Sequence, residues 1–165
     1  MARTRNIISP FAPVYDTASR VLILGSFPSV KAIENGFYYG NPHNRFYEVI
    51  SNLLDVDLVN IDWEGKKRVL LDKHVAIHDV INSCQIDGSS DASITNVIVS
   101  DIEDILKNSS IKHIFLNGKT AGALFDRHFP HLIHMRTILP STSPANARMR
   151  AADLIASWRA LVQYL

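Results

Sequence analysis

The chain has 165 residues, 47% of them apolar and 20% charged, with a formal net charge of +1. That length suits one domain, residues 1–165, able to bury a sizeable core without staples, and the composition is that of a globular rather than a disordered chain. A single cysteine, Cys84, excludes an internal disulfide framework and any four-cysteine iron–sulfur or zinc centre.

The basic start, Met1 to Arg5, leads into no apolar run of signal-peptide length, and no stretch reaches the roughly 18 apolar residues of a membrane span. A reducing cytoplasm, with the nucleoid inside it, is the expected location. Val21 to Leu24 (VLIL) reads as a short, fully buried parallel strand. From Asn44 the pattern turns helical, with Phe46, Val49, Ile50, Leu53 and Leu54 on one face. A second helix is expected around Glu64 to Lys73, then a strand from Val75 to Ile81 (VAIHDVI). Ser100 to Glu103 has the form of a capping box and predicts a helix to about Lys107. Ile111 to Leu116 is the third strand, ended by Asn117-Gly118, and a helix follows to about Arg127. Met135 to Leu139 is the fourth strand, and a last helix runs from about Ala147 to Leu165. Strands alternating with helices imply an α/β three-layer sandwich with a central four-stranded, mainly parallel sheet. In such sheets ligands bind beyond the carboxyl ends of the strands, so the loops after Leu24, Ile81, Leu116 and Leu139 are the ones to inspect.

Charge is unevenly spread. From Arg127 to Ala152 there is no Asp or Glu, while Arg127, Arg136, Arg148, Arg150 and three histidines fall there. One end of the domain is therefore positive, as phosphate binding requires. The same unevenness is compatible with an ordinary solvated surface.

The turn Gly25-Ser26-Phe27-Pro28-Ser29 lacks the Gly-Lys-Ser/Thr ending of a phosphate loop, the three-glycine dinucleotide fingerprint and the Gly-x-Ser-x-Gly elbow. It is sharp and rigid, suited to presenting backbone N–H groups to a carbonyl oxygen, although plain strand-to-helix turns look the same. Further on, Gly36 to Tyr47 (GFYYGNPHNRFY) puts three consecutive aromatics in a loop bounded by Gly and Pro. Aromatic faces in a loop can stack on a base at roughly 1–3 kcal/mol each. Aromatics also pack cores, and Asn44 stands where a helix cap belongs. Asp79 is the one carboxylate within the four loops, at the end of the second strand. It is a candidate general base or stabiliser of positive charge on a sugar, and otherwise a capping carboxylate.

These residues resemble the uracil-DNA glycosylase superfamily. Its mismatch-specific branch has a Gly-Ile-Asn-Pro-Gly turn and then a loop ending His-Pro-Ala-Asn-Arg-Phe-Trp, to which GSFPS and NPHNRFY are similar in order and separation. The resemblance is closer to the hypoxanthine-DNA glycosylase family, which reads Gly-Ser-Phe-Pro, then Tyr-Tyr-Gly-x-Pro-x-Asn-Arg-Phe-Trp, a Trp-Asp-Val segment and a Leu-Pro-Ser-Thr-Ser-Pro-Ala-Asn loop. Here the last two are His78-Asp79-Val80 and Leu139 to Asn146, so the matches run from Val21 to the last helix. Tyr47 and His78 stand where that family has Trp.

The resemblance implies a metal-free, cofactor-free, monofunctional DNA glycosylase. It would flip a deaminated nucleotide, hypoxanthine or uracil, out of double- or single-stranded DNA and hydrolyse its N-glycosidic bond as a monomer. Asn44 is implied to be catalytic; an amide has no useful basicity, so it orients water or base, with Asp79 as the carboxylate partner. Gly25, Ser26, Phe27 and Pro28 would form one wall of the base pocket, with Tyr39 stacking on the base. His43, beside Asn44, is a candidate proton donor at that pocket. The loop of Ser141, Thr142, Ser143, Pro144 and Asn146 would enter the duplex, with Arg148 and Arg150 on phosphates. Lys31 and Lys119, the lysines nearest the motifs, match no catalytic position, so strand cleavage is not implied. Three alternatives stay open: a G:U mismatch glycosylase, against which Phe27 argues; a silent binding module of the same fold; and an unrelated nucleotide-binding α/β protein.

Overall fold

The apolar run after Arg20 forms β2 (Val21–Gly25), buried along its whole length. A strand buried on both faces needs neighbours on both edges and cover above and below. β3 (Val75–Asp79) and β6 (His113–Asn117) run parallel to it on either side. β7 (Arg136–Leu139) extends the sheet, in the order β3-β2-β6-β7. This computed structural model describes residues 4–87 and 94–165.

Alternation along the strands sorts the side chains into two cores. Val21, Ile23, Val75, Ile77 and Phe115 face one way, and Leu22, Leu24, Ala76, Ile114 and Leu116 the other. The first face is covered by α2 (Phe46–Leu54), α3 (Trp63–Asp72) and α6 (Ala151–Trp158). The second is covered by α4 (Ile102–Lys107) and α5 (Lys119–His128). Phe46, Ile50 and Trp158 are fully buried, and each such side chain contributes roughly 1.5–3 kcal/mol of transfer free energy. The result is the expected three-layer sandwich.

The structure differs from the sequence reading at several points. The VAIHDVI run is not one strand: β3 ends at Asp79, and β4 (Ile81–Asp87) leaves in a new direction. The joint is held by Val80 N–H to Gly25 O (2.8 Å) and Ile81 N–H to Ser26 O (3.0 Å), which pin Asp79 against the first turn. β4 pairs antiparallel with β1 (Thr4–Ile8) and β5 (Ile94–Val99), a second sheet that the periodicity did not reveal. β1 is almost wholly exposed, so it carries no apolar alternation; Ile81, Cys84 and Ile86 supply this sheet's small core, against which Phe27 packs. At α4 the cap is Asp101, whose side chain accepts from Asp104 N–H, rather than Ser100, which is buried. The last helix starts at Ala151, four residues later than expected, because residues 140–150 stay irregular under side-chain control described below. Among the described residues no helix is long and apolar enough to cross a membrane.

Candidate active site

The carboxyl ends of β2, β3, β6 and β7 surround one cavity of about 180 Å³. The β2 side supplies Gly25 to Ser29, and the β3 end supplies Asp79. From β6 come Asn117 to Thr120, and from the β7 loop Ser141 to Ser143. Tyr38, Tyr39 and Asn44 close it from the loop before α2. Drug-sized sites start at roughly 300 Å³, so this space suits one flat ring system rather than a whole nucleotide.

That loop is built for its task. The helix α1 (Val30–Asn35) is capped by the Ser29 hydroxyl, which accepts from Ala32 N–H, and ends at Gly36 with φ 84°. Tyr39 also has a positive φ of 55°, a conformation that costs a non-glycine residue about 1–2 kcal/mol. Its ring stacks on Phe46 at 4.0 Å and 21°, which helps hold it there. Its hydroxyl is buried and has no partner in good hydrogen-bond geometry. Burial, reinforced by the Asp79 charge and only partly offset by the nearby Asn117 amide, raises its pKa far above the usual phenol range, so it stays protonated.

Asn44 is tied down from two sides. Its Oδ1 accepts from Phe46 N–H (2.9 Å), the first N–H of α2, from two residues before the helix begins, and from the Thr142 hydroxyl (2.8 Å). A peptide N–H can only donate, so the atom facing it must be the oxygen. Both acceptor positions are therefore used, and Nδ2 is the part left for a ligand. Thr142, fully buried, links onward: its hydroxyl accepts from Asn117 Nδ2 (3.0 Å), and its N–H donates to Asn117 Oδ1 (3.0 Å). Asn117, Thr142 and Asn44 thus form one relay across the cavity wall.

Asp79 is 4% exposed, and its Oδ2 is buried without a partner. Burial pushes its pKa up to about 7. A Cβ placed on Gly25 would lie 2.6 Å from Asp79 Oδ1 and 3.3 Å from the Tyr39 hydroxyl, so only glycine leaves these two groups their present positions. Next to Asp79, His78 is buried and pushed down to about 4, hence neutral. Its Nδ1 lies 2.7 Å from the Tyr38 hydroxyl, which also sits 3.0 Å from Ala12 O. His78 therefore braces the aromatic loop from beneath and does not line the cavity.

Other expected site residues are placed differently. His43 is exposed, its N–H bound to Asn41 Oδ1, and it does not line the cavity. Ser141, Thr142 and Ser143 do line it, whereas Pro144 and Arg148 are exposed beyond the rim. Asn146 turns inward, donating from Nδ2 to Ser141 O at 3.0 Å. Arg136 is held by a bidentate pair with Asp126 (2.9 and 2.7 Å), and His131 pairs with Glu103, so the positive stretch is partly neutralised. Two residues that the motifs left aside matter here. Asn117 reads in sequence only as a strand end, although that end opens onto the loop after the third parallel strand. Arg45 reaches across to the β7 loop: its guanidinium donates to Ser143 O (3.0 Å), Asn146 O (2.9 Å) and Met149 O. This is why residues 140–150 hold one shape without regular structure. Arg45→Met keeps the stem but removes these charge-assisted bonds. Its urea midpoint is expected to reveal a loss of about 2 kcal/mol.

A cavity sized for one flat ring system, with an aromatic wall, a buried carboxyl and Lys119 at its edge, is the site of a nucleobase-handling α/β protein. The model of the family described as "Uracil DNA glycosylase superfamily" matches residues 12–163. The chain belongs to that superfamily, and its reaction class is that of a DNA N-glycosylase. It is 28% identical over 155 residues to a protein of Methanosarcina acetivorans named hypoxanthine DNA glycosylase, covering 93% of this chain and 97% of that one. A protein of the same name from Methanosarcina barkeri is 29% identical over 140 residues, covering 84% and 87%. A solution NMR structure of a proposed uracil DNA glycosylase from Methanosarcina acetivorans superposes with a TM-score of 0.78 at 29% identity, over 92% of this chain and 96% of that one.

Proposed function

We propose that the protein excises hypoxanthine from DNA, with uracil as the secondary substrate, through Asn44 and Asp79. The observation that carries this reading is their convergence on one base-sized cavity, with Asn44 restricted to donating and Asp79 left free to accept.

The chemistry follows from the groups present. The C1′–N bond breaks with its electron pair leaving on the base, and the sugar becomes oxocarbenium-like. Negative charge on the departing base is met by the Ser26 and Phe27 N–H groups, which have no partner among the described residues, and by Asn44 Nδ2. Such donors are each worth about 10²–10³ in rate when aimed at developing charge. Water adds to C1′ and gives its proton to the Asp79 carboxylate, which also stabilises the cationic sugar beforehand. Asn44 cannot take that proton, because both acceptor positions of Oδ1 are filled. Lys119 lines the cavity but is exposed, without the desolvation that would prepare an amine for Schiff-base chemistry. Hydrolysis should therefore leave the DNA strand intact.

The test is release of free base from oligonucleotides carrying one deoxyinosine or one deoxyuridine. Wild type should release hypoxanthine, leaving a strand that breaks only on alkali treatment, and Asn44→Ala should be slower by about 10²-fold or more. Release of uracil alone would move the substrate to the uracil branch. Binding without any release would remove the enzymatic reading.

A further inference from the structure

Beside the cavity lies a second concavity of about 790 Å³ between α5 and the edge strand β5. Lys119 and Thr120 line both, so the two spaces adjoin. Along the new groove the helix presents Lys119, Thr120, Ala123, Leu124, Arg127 and His128, one face at helical spacing. None of the described lining residues is a carboxylate. Arg127 and Lys119 are exposed, and neither side chain makes an ion pair or hydrogen bond among the described residues. This contrasts with Arg136 of β7, which Asp126 of α5 neutralises.

Two unpaired cations eight residues apart on a helix are separated by roughly 12 Å along its axis. That is about three to four nucleotides of one DNA strand, at about 3.4 Å each. A flipped nucleotide also carries a phosphate on each side. Lys119 stands at the cavity's edge where the groove begins, next to Gly118, which lies against Ser141 of the β7 loop.

We infer that the α5–β5 groove carries the backbone of the substrate DNA strand on one side of the flipped nucleotide, with Arg127 and Lys119 on its phosphates and His128 as a further donor. This rests on the glycosylase reading above and adds to it a binding track running away from the base pocket. The deoxyribose–phosphate chain is the occupant because the groove is positive, has no carboxylate among its described lining residues, and adjoins the base cavity.

Arg127→Glu tests this. Arg127 is exposed and outside the base cavity, so the variant should keep the wild-type circular dichroism spectrum and melting curve. Affinity for a labelled duplex with one deoxyinosine is measured between about 50 and 200 mM salt, beside single-turnover release at saturating protein. Each lost phosphate contact removes about 0.9 from the slope of log K against log salt. The expected result is a Kd raised about tenfold or more, a slope shallower by about 1, and an unchanged saturating rate. A wild-type Kd and slope in the variant overturn the groove, whatever the wild type cleaves. If the wild type releases no base but Arg127→Glu still weakens binding, the groove stands and the glycosylase reading falls. If the wild type does not bind DNA, both fall.

Discussion

Asp79→Asn is expected to slow single-turnover release of hypoxanthine by roughly 10²–10⁴-fold, the usual contribution of a positioned general base. The stronger sign is in the pH profile. With its carboxyl pushed up to about 7 by burial, Asp79 is ionised only above neutrality. The wild-type rate should rise about tenfold per pH unit up to about 7 and level off above it. An amide at this position cannot titrate, so the variant should lose that limb. His78 is not an alternative source, because burial holds it at about 4 and it stays neutral across the range. The tyrosines lining the site are pushed upward and remain protonated. A variant that keeps a limb near 7 would transfer the general-base role to another group.

The same burial has an energetic consequence of opposite sign. Between about pH 4 and 7 the folded carboxyl holds a proton that the unfolded one has released, so stability falls as pH rises. Asp79 stabilises the fold fully below the unfolded value of 3.8, and this contribution is gone above about 7. At about 1.4 kcal/mol per unit, wild type should lose about 3 kcal/mol from this group between pH 5 and 9. Asp79→Asn should not, so urea titrations at the two pH values should show the variant gaining relative to wild type. Its absolute gain will be smaller, since the new amide donor meets no acceptor in the place of Oδ2. On the proposed role of Asp79, a carboxylate that destabilises the fold at the place of reaction is a stability–activity trade-off at one residue.

How much of this was legible in the sequence divides by mechanism. The parallel sheet announced itself because doubly buried strands must be continuously apolar, as VLIL is. α2 announced itself by its apolar stripe and by Asn44 ahead of it. The second sheet did not, because β1 and β5 are edge strands with mostly solvent-facing residues, and β1 finds its partner β4 only far along the chain, Thr4 opposite Asp87. The site motifs gave Asn44, Asp79 and the Gly25 turn as members of one cavity, though not their division of labour. That division depends on which lone pairs are already used: Thr142 occupies one on Asn44, a contact 98 residues distant in the chain. Arg45 reads in sequence as part of an Asn-Arg-Phe motif. Its task, fastening the carbonyls of residues 143, 146 and 149, exists only once the β7 loop has come alongside. His43 was drawn to the pocket by its neighbour Asn44, but the turn preceding α2 points it to solvent.

Two glycines should respond to alanine in opposite ways. Gly25 is not in the left-handed region, so its backbone accepts alanine, and the whole effect comes from what the methyl meets. It would sit 2.6 Å from Asp79 Oδ1, on a short, buried side chain, and 3.3 Å from the Tyr39 hydroxyl. Either Asp79 turns away or β2 and β3 separate. Overpacking of this kind costs about 1–3 kcal/mol, and a misplacement near 1 Å at a reacting group costs about 10²-fold in rate. Gly36 is the reverse case. At φ 84° alanine is strained by about 1 kcal/mol, yet nothing lies within 4 Å of its methyl. Gly25→Ala should therefore lose about 10²-fold or more in saturating rate, while Gly36→Ala loses a similar amount of stability but keeps the rate within a few-fold. Measuring both variants separates damage to the fold from damage to the Asp79–Tyr39 corner. Equal rates in the two would mean that the precise seat of Asp79 does not govern base release.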